Sequence, residues 1–292
     1  MLELILDRLS DQLYRTPTHF LLELIQNADD NSYASGVIPS LHMSLDRKAG
    51  QGYFRSDCNE IGFTFSQLDA LTQVNKSTKK STSNGQKGYI GEKGIGFKSL
   101  FKVAHVVHVA SGFYEFKLDR NKILGMLLPI ISPFPSADRV PSHTQFLLEL
   151  TYNDAFNQIR CDMENIEPQL LIFLRKLNRL RTSILRTSKV YRCRTIEYDN
   201  KFHGETALIS SGSTDEDWEV QTKYVVHRHI VRRLPFDSRR IDVATSEVVL
   251  AFAVKDHVSP IVNTQKAFAF LPIDDFGFPV RLSTLHGSKE MV

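Results

Sequence analysis

Apolar positions in the opening stretch recur at helical spacing. Leu2, Ile5, Leu9 and Leu13 lie three to four residues apart, which predicts an amphipathic helix over 2–14. Thr16-Pro17 breaks it, and Pro17 suits the first turn of a second helix over 18–33. Phe20, Leu21, Leu22, Leu24, Ile25 and Ala28 supply the apolar side of that helix. Glu23, Asn27 and Asp30, at i, i+4 and i+7, line a polar side. Ser35-Gly36 closes it.

The period then changes to two. Leu41, Met43 and Leu45 alternate with polar residues, a polar RKAGQG turn follows, and Tyr53-Phe54 begins a return strand, so 38–65 reads as a β-hairpin. A short helix is predicted over 66–74 with Ser66 as N-cap. Residues 75–87 are polar, basic and turn-rich, and are expected to form a mobile lid. Next comes GYIGEKGIGFKSL, Gly88 to Leu100, leading into a helix from about Lys98. Alternation predicts strands at 105–110, 114–118 and 144–150, the last two separated by the proline-rich PIISPFPSADRVPS. The run IEPQLLIFLRKLNRLR, 166–181, reads as a helix, apolar and then basic. A boundary there divides an α/β domain, 1–165, from a partial β-rich module, 166–292. In that module strands are expected at 190–196, 219–230, 247–254 and 266–272.

Composition narrows the classes. The 292 residues are 42% hydrophobic and 24% charged, as in an ordinary globular protein. A net charge of +3 is too mild to argue for nucleic acid. Cys58, Cys161 and Cys193 are too scattered for a disulfide framework or a zinc site and suit a reducing compartment. Neither a signal peptide nor an apolar run of membrane-spanning length is present. The expected location is therefore the cytoplasm or nucleus, with no membrane partner.

Two features carry chemistry. The glycines at 88, 91, 94 and 96 allow close backbone approach to a ligand, and exposed N–H groups leading into a helix suit an anion. The segment lacks the Gly-Lys-Ser/Thr of a Walker A loop, and its spacing reverses the dinucleotide fingerprint. Upstream, the Glu23 carboxylate and the Asn27 amide stand one turn apart. Together they can hold a water and a hard, oxygen-seeking cation such as magnesium.

In order, ELIQNADDN, NEIGF, a Ser-Thr-Lys segment, GYIGEKGIGFKS and a strand threonine resemble the Bergerat-fold ATPases: DNA gyrase, the ninety-kilodalton heat-shock chaperone, histidine kinases and MutL. Within that superfamily the resemblance narrows to the sacsin and NO VEIN group of large proteins, over about residues 10–150. It implies Glu23 as general base, Asn27 as magnesium ligand and Asp30 as a further acid on the nucleotide side. It implies Gly62 in a first glycine box, and Gly91, Gly94, Ile95, Gly96 and Phe97 in a phosphate-cradling second box. Thr144 would help to hold adenine, and Lys79 of the lid would approach the phosphates. The family's first box usually reads Asp-x-Gly-x-Gly. Aligned on Gly62, its Asp position falls on Cys58 and its first Gly on Glu60, with Asp57 one residue early. A one-residue slip on a strand reverses the side-chain direction, and a thiol is a poor acceptor.

The fold expected is α+β: a Bergerat-type sandwich, with helices on one face of a mixed, largely antiparallel sheet, then a smaller β-rich module. The expected function is ATP and magnesium binding with slow hydrolysis in a chaperone-like or regulatory protein, with nucleotide-dependent dimerisation as an expected mode of partnering. The alternative is a silent pseudo-ATPase serving as a protein-interaction module. A histidine kinase is disfavoured, since no phosphoacceptor helix is evident. His227 and His229 alternate beside Arg228, Arg232 and Arg233, and read as a solvated strand face rather than a metal site. The chain is shorter than the large proteins it resembles, which suggests a fragment, a truncated product or a short paralogue.

Overall fold

The computed structural model describes residues 19–72, 96–135, 137, 139–199, 204–213, 219–232, 245–255, 259–261, 265–269, 271–278 and 281–285. The expected helix over 2–14, the lid over 75–87 and the glycines at 88, 91 and 94 lie outside the described residues.

The helices are α1 (His19–Asp30), α2 (Phe65–Thr72), α3 (Asn153–Glu164) and α4 (Leu170–Phe173), with a 3-10 helix at Gly96–Lys102. The strands of the first half are β1 (Ser40–Lys48), β2 (Gln51–Cys58), β3 (Ala104–Ser111), β4 (Tyr114–Asp119), β5 (Ile130–Ile131) and β6 (Thr144–Leu150). Those of the second half are β7 (Arg179–Ile184), β8 (Thr187–Asp199), β9 (Gly204–Ser213), β10 (Glu219–Arg232), β11 (Thr245–Lys255), β12 (Ser259–Pro260), β13 (Gln265–Ala269), β14 (Leu271–Phe278) and β15 (Arg281–Leu285).

All fifteen described strands belong to one sheet, ordered β14-β13-β15-β11-β10-β9-β8-β7-β1-β2-β6-β3-β4-β5, with β12 bonded to β11. Neighbours are antiparallel except β1–β7 and β13–β15. Strand alternation sends one set of side chains into a single core. Leu41, Met43 and Leu45 of β1, Phe54 of β2 and Leu148 of β6 begin it. Leu180, Tyr191, Cys193, Ala207, Ile209, Tyr224, Val226, Val249 and Ala251 continue it across β7 to β11. Onto the β1–β2 part α1 lays Phe20, Leu24, Ile25 and Ala28. The Phe20 ring meets Phe54 edge-on at 5.3 Å, an arrangement that adds about 0.5–1.5 kcal/mol beyond area burial. From α3, Phe156 fits against Gly52, where a Cβ would come within 3.1 Å of its ring.

This topology corrects the expected fold class. The described chain is strand-dominated, one continuous mixed sheet with only short helices. It is not an α+β sandwich of helices on a sheet followed by a separate β module. The reason is a pairing that no local pattern reveals. β7 adds in parallel to β1, with His42 opposite Arg181 and Leu45 opposite Ile184, so the later strands extend the earlier sheet.

A second correction explains that pairing. The helix expected over 166–181 stops after four residues at Phe173, and Leu174 is extended. Asp29, wholly buried at the end of α1, accepts the backbone N–H groups of Arg175 at 2.9 Å, Lys176 at 2.7 Å and Leu177 at 2.9 Å. A carboxylate that captures three successive N–H groups removes the donors a continuing helix needs. The N–H groups of Asn178 and Arg179 then bond the Pro39 carbonyl, and β7 starts alongside β1.

Other expectations match closely. β6 has the bounds read from its alternation, and α1, α2, β3 and β4 fall within a few residues of theirs, while the hairpin expected over 38–65 forms but ends at Cys58. The pattern did not reveal α3, β7, β9 or β15. No helix among the described residues is long and apolar enough to cross a membrane.

Candidate functional site

Glu23 and Asn27 sit one turn apart on α1, both half-buried, beside the apolar arc that holds the helix on the sheet. Asp30, a turn further on, is buried and paired with the Arg175 guanidinium. α1 packs directly against the 3-10 helix that opens at Gly96. The buried Ser99, Leu100 and Phe101 anchor that short helix. Gly96 and Phe97 open that helix, whereas Lys79, Gly91, Gly94 and Ile95 lie outside the described residues.

At the end of β2, Asp57 and Cys58 point to opposite faces. Cys58 stands directly across from Thr144 and Asp57 across from Gln145. Asp57 is buried on the outer face, where its carboxylate accepts from the Arg55 side chain at 2.8 and 2.7 Å and from the Gln145 amide. Cys58 joins the core cluster that contains Ala28 of α1. The Tyr33 hydroxyl gives its one proton to the Ala28 carbonyl at 2.6 Å, so the Cys58 thiol donates to Tyr33 Oη at 3.2 Å. Burial, and then the charge of the buried Glu60, push the Cys58 thiol up to about 12. It is a neutral thiol at physiological pH.

Thr144 is buried, with its hydroxyl 2.6 Å from that of Ser111. Ser111 Oγ also accepts the Phe63 N–H at 2.8 Å. Gly62, beside it, adopts φ +92°, and a Cβ there would stand 3.1 Å from the Gly112 nitrogen. Two devices thus pin the connection after β2 onto the β3–β4 turn, a left-handed glycine and a hydroxyl bridge. Cys58, Gly62 and Thr144 come together through Ser111, which the sequence reading missed. Its signal was weak: a lone serine before a glycine turn.

The sequence reading also missed Asp29. The Asp29-Asp30 pair was visible, yet only tertiary contacts show that both acids turn toward the 175–177 backbone and Arg175. His227 and His229 are exposed on β10, opposite Leu250 and Val248, and no three-residue metal-ligand cluster of His, Cys, Asp or Glu occurs among the described residues.

No protein-family model matches the chain. The chain is similar to Protein NO VEIN of Arabidopsis thaliana, at 30% identity over 298 residues, an alignment that covers 92% of this chain. It spans 10% of the length of that relative.

Proposed function

We propose that this chain binds ATP with magnesium alongside α1 and hydrolyses it slowly, as part of a chaperone-like or regulatory protein. One observation carries the reading: Glu23 and Asn27 share a face of α1, and that helix packs against the short helix opened by Gly96. The short helix that follows the Gly91-x-x-Gly94-x-Gly96 run is thereby held against the helix that carries the carboxylate–amide pair. The resemblance of both segments to the gyrase, heat-shock chaperone, histidine kinase and MutL superfamily supports the same assignment.

The donor set suits a hard cation, because the Asn27 amide oxygen and the Glu23 carboxylate are both oxygen ligands. Asn27 would hold the magnesium ion, which when bound neutralises charge on the phosphates. Glu23 would orient the attacking water and take its proton. Glycine N–H groups would cradle the phosphates.

The second reading, a catalytically silent nucleotide-binding or interaction module, rests on Cys58. On the Thr144 side of β2 stands a neutral thiol whose proton is directed at Tyr33, where the superfamily has a carboxylate acceptor. Asp57 is engaged with Arg55 and Gln145 on the other face. Adenine selectivity is expected to be weak on either reading.

A thermal-shift titration with ATP, with and without magnesium, tests the proposal. Ligand that binds only the folded chain raises Tm by mass action. A magnesium-dependent rise that Asn27→Ala abolishes is the expected result. No shift at millimolar ATP with magnesium refutes it.

A further inference from the structure

On the outer face of the sheet several basic side chains have a carboxylate at hand. Arg55 meets Asp57 at 2.7 Å, Arg139 meets Glu115 at 3.1 Å, and His108 meets Glu149 at 2.9 Å. The strip formed by β7 and β8 differs. Arg179 and Arg192 are exposed and directly opposed across the two strands. Arg181, exposed one alternation further along β7, reaches only the Ser188 hydroxyl, at 3.5 Å. None of the three forms an ion pair with a carboxylate among the described residues.

Folding stability does not select this arrangement. Like charges directly opposite on an antiparallel pair are destabilising by a few tenths of a kcal/mol or more. Leu180, Thr182, Tyr191 and Cys193, the alternate residues of the same strands, fill the core and fix the arginines outward. Among the described residues, the proline-rich segment before β6 packs on the outer face near β2, β3 and β6, where Phe134 meets Ala110, Leu147 and Tyr53. His42, the neighbour of Arg181, is held well below the ordinary imidazole range by burial first and by the Arg181 charge second.

We propose that the β7–β8 strip of Arg179, Arg181 and Arg192 docks an extended acidic segment of a partner protein. Arg179 and Arg181 are two residues apart on one strand, about 6.6 Å, which is also the spacing of carboxylates at alternate positions of an extended peptide. Arg192 lies about 5 Å across the strip from Arg179. A guanidinium fork grips a carboxylate through two parallel hydrogen bonds. The described residues flanking the strip are Ser40, His42 and Ser44 on the β1 side and Val190, Ser188, Ser210 and Gly212 on the other, with no Phe, Tyr or Trp ring on which a nucleobase could stack.

Fluorescence anisotropy on the whole chain tests this, with a labelled peptide alternating Glu and Ser, the same peptide with Gln for Glu, and a labelled single-stranded oligonucleotide. The Glu peptide is expected to bind in a salt-sensitive way and the Gln peptide not to. The combined R179Q, R181Q and R192Q substitutions should weaken binding roughly tenfold or more without lowering Tm, because they relieve repulsion. The single R192Q variant should weaken it less, and R160Q on α3 should leave it unchanged. Equal binding of the two peptides, binding indifferent to the strip, or tighter strip-dependent binding of the oligonucleotide overturns the proposal. A triple variant that fails to fold leaves the decision to R192Q and the Gln peptide.

Discussion

Asp29 and Arg175 are 146 residues apart in the chain, and the Asp29 carboxylate accepts the Arg175 backbone N–H at 2.9 Å. That bond, with those to Lys176 and Leu177, fixes where the chain leaves α4 and enters β7. Asp29→Ala would strand three N–H groups at a buried junction. It is expected to lower stability by about 3–5 kcal/mol, while Asp29→Asn, which keeps an acceptor, should lose less. Urea denaturation of both variants measures the difference.

Gly62 meets a tighter steric limit. Its φ of +92° is unfavourable for any side chain, and a Cβ there would press on the Gly112 backbone, which cannot swing aside. Gly62→Ala should destabilise the chain by about 1–3 kcal/mol. Gly36→Ala provides the control, since at φ +78° its Cβ would meet nothing within 4 Å. Thermal melts should show the larger loss for Gly62.

The pH dependence of stability follows from His42. Burial, then Arg181, lowers its imidazole to about 4, against an ordinary 6.5. Between those values the unfolded chain binds the proton and the folded chain does not. This contribution is therefore complete above pH 6.5 and is lost as pH falls toward 4. With its side chain 28% exposed, the loss is expected to be roughly 2–3 kcal/mol. His42→Gln should flatten that part of the profile, read as the wild-type minus variant difference in urea denaturation above pH 6.5 and close to pH 4.

Thiol reactivity separates the three cysteines. Cys161 is exposed, whereas Cys58 and Cys193 are buried, and the Cys58 thiol is pushed up to about 12. Iodoacetamide at neutral pH should alkylate Cys161 alone in the native chain, and all three cysteines in urea. Peptide mass spectrometry locates the label. Rapid native modification of Cys58 would contradict its placement under Tyr33.

Turnover turns on Glu23. General-base assistance contributes about 100- to 10,000-fold in rate. Glu23→Ala should remove hydrolysis by a factor in that range and leave the ATP-induced thermal shift near the wild-type value. Phosphate release and thermal shift measured on the same variant distinguish this outcome. A wild type that binds ATP and releases no phosphate favours the silent module.

Local periodicity made much of the first half legible. The i, i+4, i+7 row of α1 and the alternation of β1, β3, β4 and β6 each arise within one element, because a helix or strand must present one side to a core. The polar pair Glu23 and Asn27 was legible for the same reason. Tertiary structure decided the rest, through contacts between residues far apart in sequence. The run from Leu170 to Leu177 is apolar enough for a helix, and only the Asp29 carboxylate diverts its N–H groups into the start of a strand. The parallel pairing of β7 with β1, and so one sheet in place of a sandwich and a separate module, follows from that diversion. The facing of Asp57 and Cys58 was likewise undecided by sequence. A single-residue register reverses every side chain on a strand, and the pairing of β2 with β6 sets that register, with Cys58 opposite Thr144.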